Sequence, residues 1–168
     1  MEKQNLAQNA NSLPTNPTLE LLKRRYEGKL VTDALSPTGN WLGFTLLEIE
    51  QSRAWLSMPI RMEMTNPYHG IHGGMMGVLC DEAIGWAVVS LGLENAFTTI
   101  NLNLDYLYAA FAGETIVAEG KVIREGKKLI HAEALVYNAK GQLLAKSTSN
   151  LVVTGMKMPT LEAFLANE

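Results

Sequence analysis

The sequence predicts an α+β fold in which a curved antiparallel sheet wraps around one long central helix. Residues 75–91 are almost entirely apolar or small, and a helix that is apolar nearly all round is a buried helix. The polar side chains in this run are Asp81, Glu82 and Ser90. Residues 96–154 alternate instead with the period of two that is typical of half-buried strands. A sheet must cover its apolar face, and the apolar helix is the element available to do so.

The order of the chain predicts four segments. Residues 1–16 are rich in Asn and Gln without periodicity, which is typical of a disordered or loosely packed tail. Asn16-Pro17 has the pattern of an N-cap followed by proline at the first helical position. We therefore expect an N-terminal helix and a turn-rich link over residues 17–40. The main domain follows over residues 41–155, and residues 156–168 form a tail or a short helix.

The strands of the main domain follow from local patterns. Residues 41–60 contain two strand-like runs broken near Glu50. In residues 97–106, alternation places Ile100, Leu102, Leu104 and Tyr106 on one face, and Thr99 with Asn101 on the other. Further strands are expected over residues 115–124, 129–137 and 143–153, the last two joined by a tight turn that ends in glycine.

Composition narrows the function classes. The chain has 168 residues, is 47% hydrophobic and carries a formal net charge of −3, so nothing favours nucleic-acid binding. The first fifteen residues lack the apolar core of a signal peptide, and the apolar run is too short and too charged for a membrane span. The single cysteine, Cys80, suits a reducing compartment. We expect a cytoplasmic protein that binds neither membrane nor nucleic acid.

A stripe of glycines on the predicted helix frames one carboxylate. Gly73, Gly77, Asp81 and Gly85 follow each other at intervals of four residues and therefore share one side of the helix. Close helix–sheet packing accounts for part of this stripe. It does not account for Asp81, because a charge on a buried helix is costly unless it is used or paired. Catalysis by Asp81 and its pairing with a strand residue both remain open at this level.

The start of the helix predicts an anion site. Gly73 and Gly74 follow His72, and the first N–H groups of a helix have no partner within the helix. The helix dipole favours negative charge there. The two glycines therefore predict an oxyanion hole for a carbonyl that becomes tetrahedral.

These residues carry a resemblance. Asn66, followed by His72-Gly73-Gly74, Leu79, Asp81 and Gly85, resembles the HGGxxxxLxDxxxG signature of the hotdog-fold acyl-CoA thioesterases of the PaaI-like group. Residues 99–107 and Gly113-Glu114 resemble the central strand and following turn of that family. Two departures concern the same loop: Tyr108-Ala109-Ala110 stands where the family often has proline, and Gly113-Glu114 replaces its Gly-Asp.

The resemblance implies hydrolysis of an acyl-CoA thioester, with no cofactor other than the coenzyme A of the substrate. The Gly73 N–H would polarise the thioester carbonyl with help from Asn66. Asp81 would act as general base or as nucleophile, Thr99 would hold the attacking water, and His72 would orient the loop.

The substrate contacts are expected at two places. Gly74 and Met75 lie beside the predicted oxyanion hole. The phosphates of coenzyme A need cations, and the turn at residues 124–128 offers Arg124, Lys127 and Lys128.

Other functions rest on other residues. Glu82 suits a hotdog dehydratase or hydratase, although Tyr68 stands where such enzymes have a histidine. A hotdog domain that binds acyl-CoA without hydrolysing it is a further alternative. Cys80 is expected to be a small buried hydrophobe rather than a nucleophile. His69 and His72 lack the further ligands that a metal site needs, so no metal is expected.

Helix geometry predicts shared active sites. Gly73 and Asp81 are eight residues apart, which is about 12 Å along a helix, whereas a general base acts through a water about 3 Å from the carbonyl carbon. In a two-fold dimer each site can take Asn66 and Gly73 from one subunit, and Asp81 and Thr99 from its partner. The expected assembly is a homodimer, or a dimer of dimers.

Overall fold

A computed structural model describes residues 16–159. The predicted tail over residues 1–15 lies outside the described residues, and so does the predicted C-terminal helix beyond Pro159. The predicted hotdog architecture is confirmed: a seven-stranded antiparallel sheet curves around one long helix, with strand order β1-β2-β3-β5-β6-β7-β4. The elements are α1 (Pro17–Tyr26), β1 (Lys29–Leu30), α2 (Pro37–Leu42), β2 (Thr45–Glu50), β3 (Arg53–Pro59), a 3₁₀ turn (Met62–Met64), α3 (Gly73–Val89), β4 (Asn95–Tyr106), β5 (Thr115–Glu125), β6 (Leu129–Asn138) and β7 (Leu143–Lys157).

The central helix α3 packs across the inner face of the sheet, mainly on β3, β5 and β6. Small inner residues make room for it: Ala118, Ala132 and Ala134 are fully buried. At Gly120 of β5 a Cβ atom would lie 2.0 Å from the Ala83 carbonyl oxygen. The backbone of α3 therefore touches the backbone of β5 at a point where no side chain fits.

The N-terminal segment is attached to this core by two short helices. Asn16 caps α1 as predicted, because its side chain accepts a hydrogen bond from the Leu19 N–H at 3.1 Å. Residues 36–40, predicted as a turn-rich link, instead begin the helix α2. Ser36 caps α2 by accepting from the Gly39 N–H at 3.0 Å, and proline occupies its first turn. Both helices thus begin with a polar N-cap residue followed by proline: Asn16-Pro17 in α1 and Ser36-Pro37 in α2.

Strand β4 forms one edge of the sheet and pairs, among the described strands, with β7 alone. Thr99 and Asn101 pair with the adjacent residues Leu151 and Asn150, so Ile100 is an extra residue in a β-bulge. The prediction that Ile100 shares the inner face with Leu102 and Leu104 is therefore wrong. A bulge reverses the alternation, which leaves Ile100 57% exposed and turns Thr99 toward α3.

Candidate active site

Asp81 and Thr99 form a hydrogen-bonded pair between the central helix and the edge strand. The Thr99 hydroxyl donates to Asp81 Oδ1 at 3.0 Å, and both residues are exposed within the single chain. Asp81 therefore stands on a side of α3 that its own sheet leaves open, rather than in the buried setting that the apolar sequence suggested. The carboxylate is oriented by this one hydrogen bond from Thr99.

The start of α3 offers one free amide, at Gly73. His72 caps the helix, because its Nδ1 accepts from the Gly74 N–H at 2.9 Å. The Gly73 N–H, by contrast, has no acceptor among the described residues. A free amide at a helix N-terminus is a donor for an anionic oxygen. Gly73, and not Gly74, is thus the donor available for an oxyanion, while His72 positions the helix start.

Tyr106 fixes the position of Gly73, a contact that sequence reasoning missed. The Tyr106 hydroxyl donates to the Gly73 carbonyl oxygen at 2.9 Å. A Cβ atom at residue 73 would lie 2.9 Å from that hydroxyl oxygen and 3.1 Å from Cζ, so any larger residue there forces the Tyr106 ring to move. The strand pattern had placed Tyr106 on the helix-facing side of β4, which was the available signal.

Asn66 presents the amino half of its amide from the loop before α3. Its Oδ1 accepts from the N–H groups of Tyr68 at 2.9 Å and Gly70 at 3.2 Å. The loop is fixed to the rest of the domain because the Ile71 N–H donates to the Ala110 carbonyl at 2.8 Å. Asn66 Nδ2 makes no hydrogen bond to any described residue, so it remains available as a donor.

These groups fall into two separate half-sites on one chain. Asn66, His72 and Gly73 lie at the start of α3, whereas Asp81 and Thr99 lie eight residues further along. At 1.5 Å per residue the separation along the axis is about 12 Å. One chain therefore does not bring the free amide and the carboxylate to the same carbonyl group.

A cavity of about 320 Å³ adjoins the Asp81 half-site. Asp81 and Thr99 form part of its wall, and most of the remaining wall is apolar. Its lining also includes Leu22 and Tyr26 of α1 and Leu35 of the following link. Sequence reasoning missed this contribution, because no local pattern connects the N-terminal helix with the site.

Glu82 faces the same cavity but is held by the N-terminal segment. The Ser36 hydroxyl donates to its Oε1. Burial raises the pKa of the Glu82 carboxyl above its ordinary value, an effect that the Ser36 hydrogen bond partly offsets. Glu82 thus links α3 to the start of α2, whereas the neighbouring Asp81 is bound by Thr99 alone among the described side chains.

The remaining candidates have different surroundings. Cys80 is fully buried, and this burial raises the pKa of its thiol to about 11, which leaves it protonated at neutral pH. Met75 is half-buried against the core. Within residues 16–159, no group of three or more His, Cys, Asp or Glu side chains is placed to hold a metal ion.

The basic turn between β5 and β6 lies at the far end of the helix. Its Arg124, Lys127 and Lys128 are exposed and form no ion pair with a described residue. The Val122 N–H donates to the Ser52 carbonyl, and the Ser52 N–H donates to Ser90 Oγ just after α3. The turn is therefore near the C-terminal end of α3, remote from the Gly73 of its own chain.

Comparison with known proteins finds similar thioesterases. Residues 68–145 match the thioesterase superfamily. The PaaI-like resemblance is supported by the acyl-coenzyme A thioesterase PaaI of Escherichia coli, which is 31% identical over 87 residues, or 52% of this chain and 61% of the relative. A putative esterase of Archaeoglobus fulgidus is also 31% identical, over 60% of this chain and 64% of the relative. The chain thus spans less than two thirds of the length of each.

Solved structures share the hotdog architecture of this chain. The structure of E. coli PaaI superposes with a TM-score of 0.70 at 22% identity, covering 74% of this chain and 89% of that chain. A hypothetical thioesterase of Streptococcus pneumoniae, solved with coenzyme A, gives a TM-score of 0.65 at 22% identity, covering 69% and 89%. No helix within the described residues has the length and hydropathy needed to cross a bilayer.

Proposed function

We propose that this protein hydrolyses acyl-CoA thioesters to a carboxylic acid and free coenzyme A. The observation that carries the proposal is the Asp81–Thr99 pair at the wall of an apolar cavity. A carboxylate oriented toward an apolar cavity suits a base that acts on a water beside an acyl group. The family match supports the same activity, and so does the name of the E. coli relative, an acyl-coenzyme A thioesterase.

The reaction uses the two half-sites together. The Gly73 N–H and Asn66 Nδ2 donate to the thioester oxygen and stabilise the negative charge that develops on it. Asp81 takes a proton from a water while the water oxygen bonds to the carbonyl carbon. The carbon–sulfur bond then breaks, and the thiolate of coenzyme A receives the proton from Asp81. Thr99 orients Asp81 throughout, and direct attack by Asp81 on the carbonyl is the covalent variant of this scheme.

A two-fold dimer brings the half-sites together in this proposal. The outer edge of β4 is open, and an open edge strand is a template for pairing with a second copy. Antiparallel pairing of two such edges would place the central helices side by side in opposite directions. The Gly73 of one subunit would then lie opposite the Asp81 of its partner, which the separation of about 12 Å within one chain requires. Two such dimers could associate further.

Coenzyme A has its own proposed contacts. Its phosphates would bind Arg124, Lys127 and Lys128, which are exposed and unpaired among the described residues. This turn lies near the C-terminal end of α3, so in an antiparallel dimer it approaches the Gly73 of the other subunit. Gly74 and Met75 would line the path of the thioester beside the oxyanion hole. A reducing compartment such as the cytoplasm suits the buried thiol of Cys80.

Mixed dimers test the activity and the shared sites in one experiment. We expect Asn66→Ala and Asp81→Asn to be inactive separately. When the two variants are refolded together in equal amounts, random pairing makes half of the dimers mixed, and each mixed dimer has one intact site of two. Thiol release should recover to about a quarter of the wild-type rate.

A matched mixture serves as the control. Asp81→Asn refolded with Thr99→Val places both changes in the same half-site, so no mixed dimer regains an intact site and the rate should not exceed that of the parents. Recovery in this control would contradict the assignment. Failure of the first mixture despite demonstrated subunit exchange would show that both groups act from one chain. A wild-type protein that binds acyl-CoA without releasing thiol would overturn the hydrolase itself.

A further inference from the structure

The cavity beside Asp81 is closed by a part of the chain that the family match does not include. The match covers residues 68–145, whereas Leu22, Tyr26 and Leu35 belong to the segment before the domain and line the cavity. The same cavity contains Asp81 and Thr99. The N-terminal segment is thus a wall of the space next to the reacting group.

Aromatic packing makes this wall rigid. The Tyr26 ring meets Trp86 of α3 edge to face, with centroids 5.3 Å apart, and Phe44 meets the same Trp86 at 6.0 Å. The start of α1 is attached to the end of α3, because Asn16 Nδ2 donates to the Ser90 carbonyl at 2.8 Å. These contacts hold α1 at a fixed position relative to α3, so the width of the cavity between them is also fixed.

The polar groups of the cavity are already engaged. Asp81 accepts from Thr99, and Glu82 accepts from Ser36. Most of the other lining residues are apolar, including Leu22, Tyr26, Trp86, Val89 and Phe97. An acyl group with a charge or several polar atoms would lose its hydration here without finding free partners. The cavity therefore suits an uncharged apolar group.

The floor of the cavity is open because residue 85 is glycine. Gly85 lies one helical turn beyond Asp81 and lines the cavity, and a Cβ atom placed there would meet no described atom within 4 Å. Packing therefore does not require glycine at this position. Its missing side chain leaves space directly beyond the catalytic carboxylate, in the direction that an acyl chain would take.

We propose that the N-terminal segment sets the size limit of the acyl group, and that the site takes an uncharged apolar acyl chain that ends against Leu22 and Leu35. This inference rests on the proposed thioesterase activity. The cavity has a volume of about 320 Å³ and includes Leu22 and Leu35 in its wall, so the acyl chain has a maximum length beyond which it meets these two side chains.

A panel of acyl-CoA esters of increasing length tests the limit by kcat/KM for thiol release. For wild type we expect a rise of roughly fourfold per added methylene until the chain fills the cavity, followed by a fall of at least about tenfold when the chain exceeds it. A ring-bearing acyl group of equal carbon count forms a second arm. If the straight and the ring-bearing acyl groups are hydrolysed at similar rates, the volume of the cavity limits the acyl group. If only one of the two is hydrolysed, volume does not set the limit.

Three variants locate the limit in the N-terminal segment. Leu22→Ala removes about three carbons from the wall and should move the optimum toward longer chains by about two carbons. Gly85→Ala adds a methyl group to the floor without a clash and should move the optimum toward shorter chains. The matched control is Leu19→Ala: Leu19 is on the same helix and is also buried, but it does not line the cavity. Its optimum should stay at the wild-type length.

The outcomes separate the two proposals. If wild type releases no thiol from any ester, the thioesterase proposal fails. If wild type is active but Leu22→Ala and Gly85→Ala keep its chain-length optimum, the N-terminal segment does not set the limit and this inference is wrong. Leu35→Ala keeps the test decisive even if Leu22→Ala fails to fold, because Leu35 lines the same cavity but is 44% exposed; its optimum should also move toward longer chains.

Discussion

Replacing Gly73 by alanine should destabilise the protein and remove most of its activity. The new Cβ would lie 2.9 Å from the Tyr106 hydroxyl oxygen and 3.1 Å from Cζ, so the ring must move and its hydrogen bond to the Gly73 carbonyl is lost. Overpacking costs about 1–3 kcal/mol, and the lost hydrogen bond costs about 1 kcal/mol. The preference of helices for alanine offsets at most about 1 kcal/mol.

The net loss of about 1–3 kcal/mol can be measured by thermal unfolding. For a chain of this size each kcal/mol lowers Tm by about 2–4 °C. Loss of the Tyr106 hydrogen bond that positions the Gly73 backbone should also lower kcat for thiol release, by up to about a hundredfold, the effect of removing one oxyanion donor. Adding Tyr106→Phe removes the nearest atom and should restore part of the stability. Restoration stays partial because Cζ is retained.

Gly77→Ala is the matched control for stability. Gly77 lies one turn further along α3, and its new Cβ would meet Leu104 Cδ2 at 3.7 Å, which is an ordinary contact. Alanine there should raise the free energy of unfolding by about 0.5–1 kcal/mol. If Gly73→Ala is as stable as Gly77→Ala and turns over at the wild-type rate, neither the Tyr106 contact nor the Gly73 amide has the role assigned to it.

Two further predictions concern the adjacent carboxylates. Asp81→Asn should lower kcat by at least about a hundredfold with little change in KM, whereas Glu82→Gln should lower kcat much less. A larger loss of kcat in Glu82→Gln would show that Glu82, and not Asp81, is the base. Burial raises the pKa of Glu82 above its ordinary value of 4.5, so protonated Glu82 stabilises the fold below that value, and this contribution is lost as pH rises through the folded-state pKa. The Tm of Glu82→Gln relative to wild type should therefore increase between about pH 4 and about pH 7, and a constant difference would show that Glu82 is not perturbed in the folded protein.

Much of the fold could be predicted from local pattern. An apolar run of helical length, the alternation in β5 and β6, and the Asn16-Pro17 start signal each depend on neighbouring residues, and all three agree with the structure. The turn that ends at Gly141 needs a positive φ, and the structure has +76° there. The local signal of the second helix, Ser36-Pro37, was present in the sequence but was attributed to a turn.

The candidate site was predictable as a set of residues but not as an arrangement. The spacing of glycines and Asp81 marked one side of α3, and the resemblance added Asn66 and Thr99. The bulge at Ile100 brings Thr99 to Asp81, and alternation alone had placed Thr99 on the opposite face. A single inserted residue in a ladder reverses every side chain beyond it.

The sequence by itself determined the central helix, the strands around it and the residue types of the site, because each follows from periodicity along a few turns or pleats of chain. Only the tertiary structure decided which amide at the helix start is free, which side chain crowds residue 73, and which residues of the N-terminal segment line the cavity. The His72 side chain accepts a hydrogen bond from the Gly74 N–H, and the Tyr106 hydroxyl donates to the Gly73 carbonyl, 33 residues away in the sequence. Leu22 lines the same cavity as Asp81. Such contacts join residues far apart in sequence, so their geometry is set by how the whole sheet closes on the helix rather than by any local preference of the chain.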